Sequence, residues 1–322
     1  MKRMACAALA LLLTFVCTGM ALAESSVSIT TGLPTTESAR TMVVQMDNEP
    51  KARPQKGIAS ADVVYEIELY NGGYTRYTAV FNDNVPDEVE AVRSARIVNA
   101  DTYMDYNGAF IHFGGQEMAG SSVYDYFKTL NVGARIDGLK SGSKLFYRDS
   151  SRSSPNNVVA KLAALRDQVD WSNITCKSPL KFNASAITPE GEDVKEFSIP
   201  YRDGYTPSYV WDEAQGLYLR SYNGSPYCDG TTGEQVTCAN VIVQSMEYGW
   251  YEGQSDRPKV TTVGTNRCEY FIGGKHFTGY WQRDSIDSNT VYYDDAGNEV
   301  LLNPGVTFIQ TLKTEKSVDI IG

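Results

Sequence analysis

The sequence predicts an α+β fold: a mixed α/β domain over residues 41–175, then a β-rich, mostly antiparallel domain over residues 176–322. Three observations predict it. The first half interleaves β-branched and aromatic runs with amphipathic stretches, the pattern of a layered sheet-and-helix structure. From Phe197 onward, short strands and glycine turns recur with almost no helical periodicity. Tyrosine, at 21 copies, tilts the whole chain toward strands.

The elements follow in order. Residues 1–23 read as a signal peptide, with Lys2 and Arg3 ahead of an apolar run from Ala7 to Val16. Ala21-Leu22-Ala23 places small residues for cleavage before Glu24, and the apolar run is too short for a spanning helix. Cys17 raises a lipid-anchored alternative, but Val16 is a poor residue ahead of an acylated cysteine, so free secretion is the reading adopted. Residues 24–40 are polar and aperiodic, the composition of a flexible leader. Met42 to Met46 is a buried strand, and Asp47 to Gly57 is a loop because Pro50 and Pro54 interrupt regular pairing. Val63 to Tyr70 and Thr75 to Asn82 form a hairpin around Asn71-Gly72-Gly73. A helix over 97–106, a strand over 109–113 and a helix over about 116–130 come next. Pro155 opens a helix to about Gln168, with Val158, Val159, Leu162 and Leu165 facing inward. The domain boundary falls in loop-like sequence at 171–195. Beyond it, residues 211–224, 269–281 and 290–305 read as hairpins of an antiparallel sheet or partly closed barrel.

Charge limits the partners. The chain carries 29 basic and 39 acidic residues, and the signal peptide removes Lys2 and Arg3 but no acid. The remaining 27 basic residues against 39 acidic give about −12, which disfavours long-range attraction to nucleic acid or an anionic bilayer. A local basic pocket escapes that field, because salt screens beyond roughly 8–10 Å. Four cysteines follow the signal, and export permits disulfides. Cys228 and Cys238 flank a turn-rich segment and are the favoured pair, with Cys176 and Cys268 as a second. A zinc site is disfavoured because no close CxxC-type pairs occur.

The chemistry concentrates between residues 47 and 96. Lys51, Arg53, Arg76, Arg93 and Arg96 gather there in an otherwise acidic chain, and arginine's planar fork suits phosphate or carboxylate. Arg93 and Arg96 would share a face if their turn were helical. Asp47, Asn48, Asp62 and Glu66 are supporting polar candidates. The alternative is that Asp47, Asp62, Glu66 and Glu68 neutralise the arginines across a layer interface. His112, ahead of Phe113-Gly114-Gly115 and an expected helix start, is a candidate anion ligand or base, or else a structural donor. Two S-x-x-K matches, at Ser141 and Ser178, lack the separate companion motif that the chemistry requires. The chain has no G-x-S-x-G elbow, phosphate-binding loop or dinucleotide fingerprint, so no catalytic residue, metal or cofactor is assigned.

Residues 48–55 (NEPKARPQ), 61–66 (ADVVYE), 73–76 (GYTR) and 92–96 (VRSAR) resemble, in that order, the YerB-like bacterial lipoproteins, a family described as a domain of unknown function. Residues 270–275 (YFIGGK), Trp281 and residues 302–309 (LNPGVTFI) resemble the family's C-terminal domain. The resemblance runs from about Thr41 to Leu312 and implies an extracytoplasmic two-domain protein without an established reaction. The departure is the missing lipid-attachment motif, so anchoring does not carry over. A fainter similarity, in the order of hairpin and arginines, is to cell-wall phosphotransferases that bind polyprenyl pyrophosphate.

The functional expectation is a secreted or envelope-associated binding or scaffold protein. Its partner would be an anionic cell-wall ligand or an acidic segment of an envelope protein, with the membrane involved only through a lipid anchor. The alternative is a phosphate-handling enzyme in which Arg53, Arg76, Arg93 and Arg96 clamp a pyrophosphate while Asp47 or Glu66 holds magnesium. In a third reading the arginines are purely structural.

Overall fold

A computed structural model describes residues 26–322. The expected signal peptide, its cleavage site and Cys17 lie outside these residues.

The organising element is one eleven-stranded sheet to which both halves of the chain contribute. In chain order its strands are β1 (Met42–Asp47), β2 (Val63–Tyr70), β3 (Tyr74–Phe81), β4 (Ala109–His112), β5 (Ala134–Asp137) and β6 (Glu192–Asp193). They continue with β7 (Asn240–Met246), β8 (Gly264–Ile272), β9 (Lys275–Arg283), β10 (Val291–Asp294) and β11 (Thr307–Lys313). Across the sheet the order is β6-β9-β8-β7-β11-β2-β3-β1-β4-β5, with β10 also on β9. The halves join where β11 runs parallel to β2, with Thr307 opposite Val63 and Gln310 opposite Glu66. The sheet therefore crosses the boundary expected at 171–195, and the last long strand returns to the first hairpin.

Both faces of the sheet are covered, so its central strands are buried along almost their whole length. Val241 and Val243 join one core cluster and Ile242 the other, as the two-residue period of a strand requires. On one face sits a six-stranded antiparallel sheet, including Glu196–Ser198, Pro207–Asp212 and Leu217–Tyr222, which contributes Phe197, Tyr205, Tyr209 and Tyr218. The other face takes α1 (Ile97–Tyr103) and α2 (Val123–Phe127) through Val98, Ala100, Tyr103, Val123 and Phe127. A third helix, α3 (Leu162–Gln168), buries Leu162 and Leu165.

Several expectations change. The structure is mostly β, at 40% strand and 9% helix, so the α+β description holds only loosely. The helix expected from Pro155 begins only at Leu162. Val158–Ala160 is instead a strand between Val89–Glu90 and Phe146–Arg148, since apolar residues at 158 and 159 satisfy either period. Of the helix expected over 116–130, only Val123–Phe127 is helical. Residues 290–305 contribute one strand and a turn rather than a full hairpin. The part of the leader from residue 26 is docked: Ser28, Thr30 and Thr31 are buried, and Thr30 Oγ1 donates to Asp62 Oδ2 at 2.8 Å. Among the described residues all four cysteines, Cys176, Cys228, Cys238 and Cys268, are free, so neither expected disulfide forms. The segment after Cys228 is closed instead by Asp229, whose Oδ1 accepts from the backbone N–H of Thr231 at 2.6 Å and of Thr232 at 3.2 Å.

One glycine holds the two sheets together. Gly73, at φ +79°, lets the β2–β3 turn approach the second layer so closely that a Cβ there would lie 2.5 Å from the Tyr201 carbonyl oxygen. Gly73→Ala is expected to cost about 1–3 kcal/mol, from strained backbone and a displaced layer, measured as a lower urea midpoint.

Candidate functional site

The arginines do not form one clamp. They divide by partner.

Arg93 and Arg53 are spent internally. Residues 92–96 run extended rather than helical, with Arg93 N–H donating to Gln45 O at 2.8 Å and Ala95 N–H to Gly114 O at 3.0 Å. Arg93 Nε donates to Asp47 Oδ2 at 2.7 Å, and Asn156 Nδ2 reaches the same oxygen at 2.7 Å. Arg53 donates to Asn48 Oδ1 at 3.0 Å and Asn48 O at 2.6 Å. Its guanidinium lies 4.2 Å from the Tyr205 ring centre and 4.8 Å from that of Tyr222. Lys51 is exposed, with no ion pair among the described residues.

Glu66 is neutralised by a residue the sequence did not single out. Arg220, fully buried on the second sheet, donates to Glu66 Oε2 at 2.8 Å and to the Tyr77 hydroxyl at 3.0 Å. Glu66 Oε1 accepts from Asn48, Thr75 and Tyr205 at 2.9, 2.7 and 2.6 Å. Lys313 meets Glu68 at 2.8 Å. Asp47 and Glu66, the carboxylates considered for magnesium, are thus each committed to an arginine.

Arg76 and Arg96 differ from all of these. Both are buried, and both donate through Nη2 to one oxygen, the Tyr70 hydroxyl, at 2.6 Å. Arg76 Nη1 also donates to Ser94 O at 2.8 Å, and Arg96 Nη1 to Ala95 O at 3.0 Å. Among the described residues, neither has a carboxylate within 4.0 Å. The Nε of each is buried without a partner. Burial and then the neighbouring Arg76 charge pull the Arg96 guanidinium down to about 9. Burial alone would raise the Tyr70 phenol, but Arg76, Arg96, Arg93 and Arg257 outweigh it and hold the phenol below its ordinary value.

The second half of the chain closes this cluster. The loop between Tyr248–Trp250 and Pro258–Val260 brings Arg257, whose Nη1 lies 2.7 Å from Met118 Sδ and whose Nε lies 3.7 Å from Asp256 Oδ2. Asn71 N–H donates to Asp256 O at 2.9 Å, and Gln254 Nε2 donates to Ser121 Oγ at 2.6 Å. Sequence reasoning missed Tyr70, Gln116 and Arg257. Tyr70 reads as an ordinary strand aromatic, and Arg257 is 181 positions beyond Arg76, in a polar loop with no pattern of its own.

His112 does not join the cluster as an anion ligand. It is fully buried, its ring centre 5.3 Å from that of Phe110 and 5.9 Å from that of Phe127, and its Nδ1 lies 2.7 Å from Gly114 O. The helix expected to begin beside it starts only at Val123, so no helix terminus faces it. Burial lowers its pKa, favouring a neutral ring that donates to Gly114.

Asp62 also has a structural setting. Its Oδ2 accepts from Thr30 Oγ1, Asn82 N–H and Asp83 N–H, tying down the leader. Burial, then the Asp83 charge, raises it from 3.8 to about 7. Between those values the folded chain holds a proton that the unfolded chain has released, so stability falls as pH rises through this window. The thermal midpoint is expected to decline from pH 4 to 7, with Asp62→Asn flattening the decline.

Fold and site together define a mostly β protein whose halves share one sheet and jointly enclose an arginine cluster. The chain belongs to the family described as "Protein of unknown function (DUF3048)", matching its N-terminal domain over residues 30–175 and its C-terminal domain over residues 197–309. It is similar to "Putative lipoprotein YerB" of Bacillus subtilis (strain 168), at 29% identity over 226 residues. That alignment covers 66% of this chain and 65% of the relative's length. The crystal structure of the Bacillus subtilis YerB protein shares the fold, with a TM-score of 0.79 at 23% identity, over 92% of this chain and all of that one. Among the described residues no helix is long and apolar enough to cross a membrane.

Proposed function

We propose that the protein is an envelope-associated binding protein whose cluster of Arg76, Arg96, Arg257 and Tyr70 takes up an anionic ligand. One observation carries the reading: two buried guanidiniums converge on a single phenol oxygen with no carboxylate beside them. A purely structural pair would be matched, as Arg220 is by Glu66 and Arg93 by Asp47. Leaving charge buried and unpaired is costly, and chains retain such groups where a ligand completes them. The envelope setting is supported by the lipoprotein name of the relative and by the signal sequence read at residues 1–23.

The test is co-sedimentation of the chain, expressed without residues 1–23, with purified cell-wall sacculi. Retention by wild type and loss in a folded Arg76→Ala/Arg96→Ala variant is the expected result. Equal retention of both, or none of either, overturns the assignment of a wall ligand to this cluster.

A further inference from the structure

We infer that the anion is a tetrahedral dianion of the phosphate class, free phosphate or a phosphate monoester, and that Tyr70, Gln116 and Arg257 help to hold it. The inference rests on the preceding reading and specifies its ligand.

Charge is the first argument. Arg93 is answered by Asp47 at 2.7 Å and by Glu49 at 3.9 Å, and Arg257 has Asp256 at 3.7 Å. Among the described residues Arg76 and Arg96 have no carboxylate within 4.0 Å, so two guanidiniums of the cluster lack a paired charge. A carboxylate would cancel only one of them, whereas a phosphate monoester carries about −1.5 to −2 at pH 7.

Unspent hydrogen-bonding groups are the second. The Nε of Arg76, Arg96 and Arg257 and the Nε2 of Gln116 are buried without partners. Gln116 adjoins the cluster through its backbone N–H, which donates to Ala95 O at 3.0 Å. The Tyr70 oxygen accepts from two arginines, and its own proton has no acceptor among the described residues. Arg257 Nη1 meets only a thioether sulfur, a weak acceptor. These donors exceed what the two oxygens of one carboxylate accept, roughly four lone-pair sites. Gln254 Oε1 is a buried acceptor without a partner on the covering loop. A cavity of about 390 Å³, lined by Ile97, Met118, Ser121, Asp125 and Tyr126, lies beside Met118.

The test is calorimetric titration of the chain lacking residues 1–23 with phenyl phosphate, inorganic phosphate and benzoate at pH 7 and low salt. Both phosphates should bind, with benzoate at least tenfold weaker. Arg96→Ala should weaken phenyl phosphate by tenfold or more, and Tyr70→Phe by several-fold. Affinity should also fall as pH drops from 7.5 to 5, because the dianion takes up a proton near pH 6. Equal affinity for both phosphates assigns free phosphate, and a tenfold preference for phenyl phosphate assigns a monoester. Benzoate binding as well as phenyl phosphate, with both lost in Arg96→Ala, overturns the dianion while leaving the anion site standing. No binding of any probe, or binding indifferent to Arg96→Ala in a folded variant, overturns the site itself.

Discussion

Arg220→Ala is expected to destabilise the protein by about 3–5 kcal/mol, because it strands the buried Glu66 carboxylate without its cation. Glu66 lies on β2 and Arg220 on the second sheet, so their bond at 2.8 Å ties the two layers at their centre. Tyr77, Tyr205 and Tyr209 present hydroxyls to the same guanidinium at 3.0, 3.2 and 3.3 Å. The Tyr227 ring centre lies 4.2 Å from it. Losing the cation therefore unpairs a charge and opens an aromatic core together. Removing both charges as Arg220→Met/Glu66→Gln should recover most of the loss, since an apolar replacement of a whole buried pair is often neutral. Chemical denaturation of the two variants provides the comparison. A similar cost for both would place the effect in shape rather than charge.

Arg96→Met should do the opposite. Arg96 lies buried beside the like charge of Arg76 and opposite a phenol rather than a carboxylate. Replacing it with an apolar side chain of similar length relieves that repulsion and removes a buried cation. The expected gain is about 1 kcal/mol, or roughly 2–4 °C in the thermal midpoint for a chain of this size class. The same change should abolish anion binding. A residue that lowers the stability of the free protein while supporting recognition belongs to a binding site rather than a scaffold.

The contrast between these arginines also marks what the sequence could disclose. The β2–β3 hairpin was legible because alternating β-branched and aromatic residues flank Asn71-Gly72-Gly73, where Gly72 and Gly73 adopt positive φ. β1, β4 and α1 were legible to within a few residues for similar local reasons. Val158 and Val159 were not. Their strand exists because Val89–Glu90 and Phe146–Arg148 lie on either side, and Val89–Glu90 is distant in the chain. The basic stretch pointed to Arg76 and Arg96, but not to the split that leaves them unpaired while Arg93 and Arg53 are spent. That split depends on Asp47 facing Arg93, and on Tyr70 and Arg257 meeting from opposite halves of the chain. Glu66 was open to two readings, a magnesium ligand or a neutralising acid, and its partner lies outside the basic stretch, 154 positions away. Local pattern carried the elements, and long-range pairing decided which charges remained available.

The most direct test of the account is thermal unfolding of wild type and Arg96→Met at pH 7, each with and without inorganic phosphate. The anion-site account predicts that Arg96→Met melts at or above the wild-type temperature without phosphate, and that phosphate raises the midpoint of wild type alone. A variant that melts several degrees lower, in a protein whose wild type does not respond to phosphate, would make Arg96 a structural residue and contradict the account.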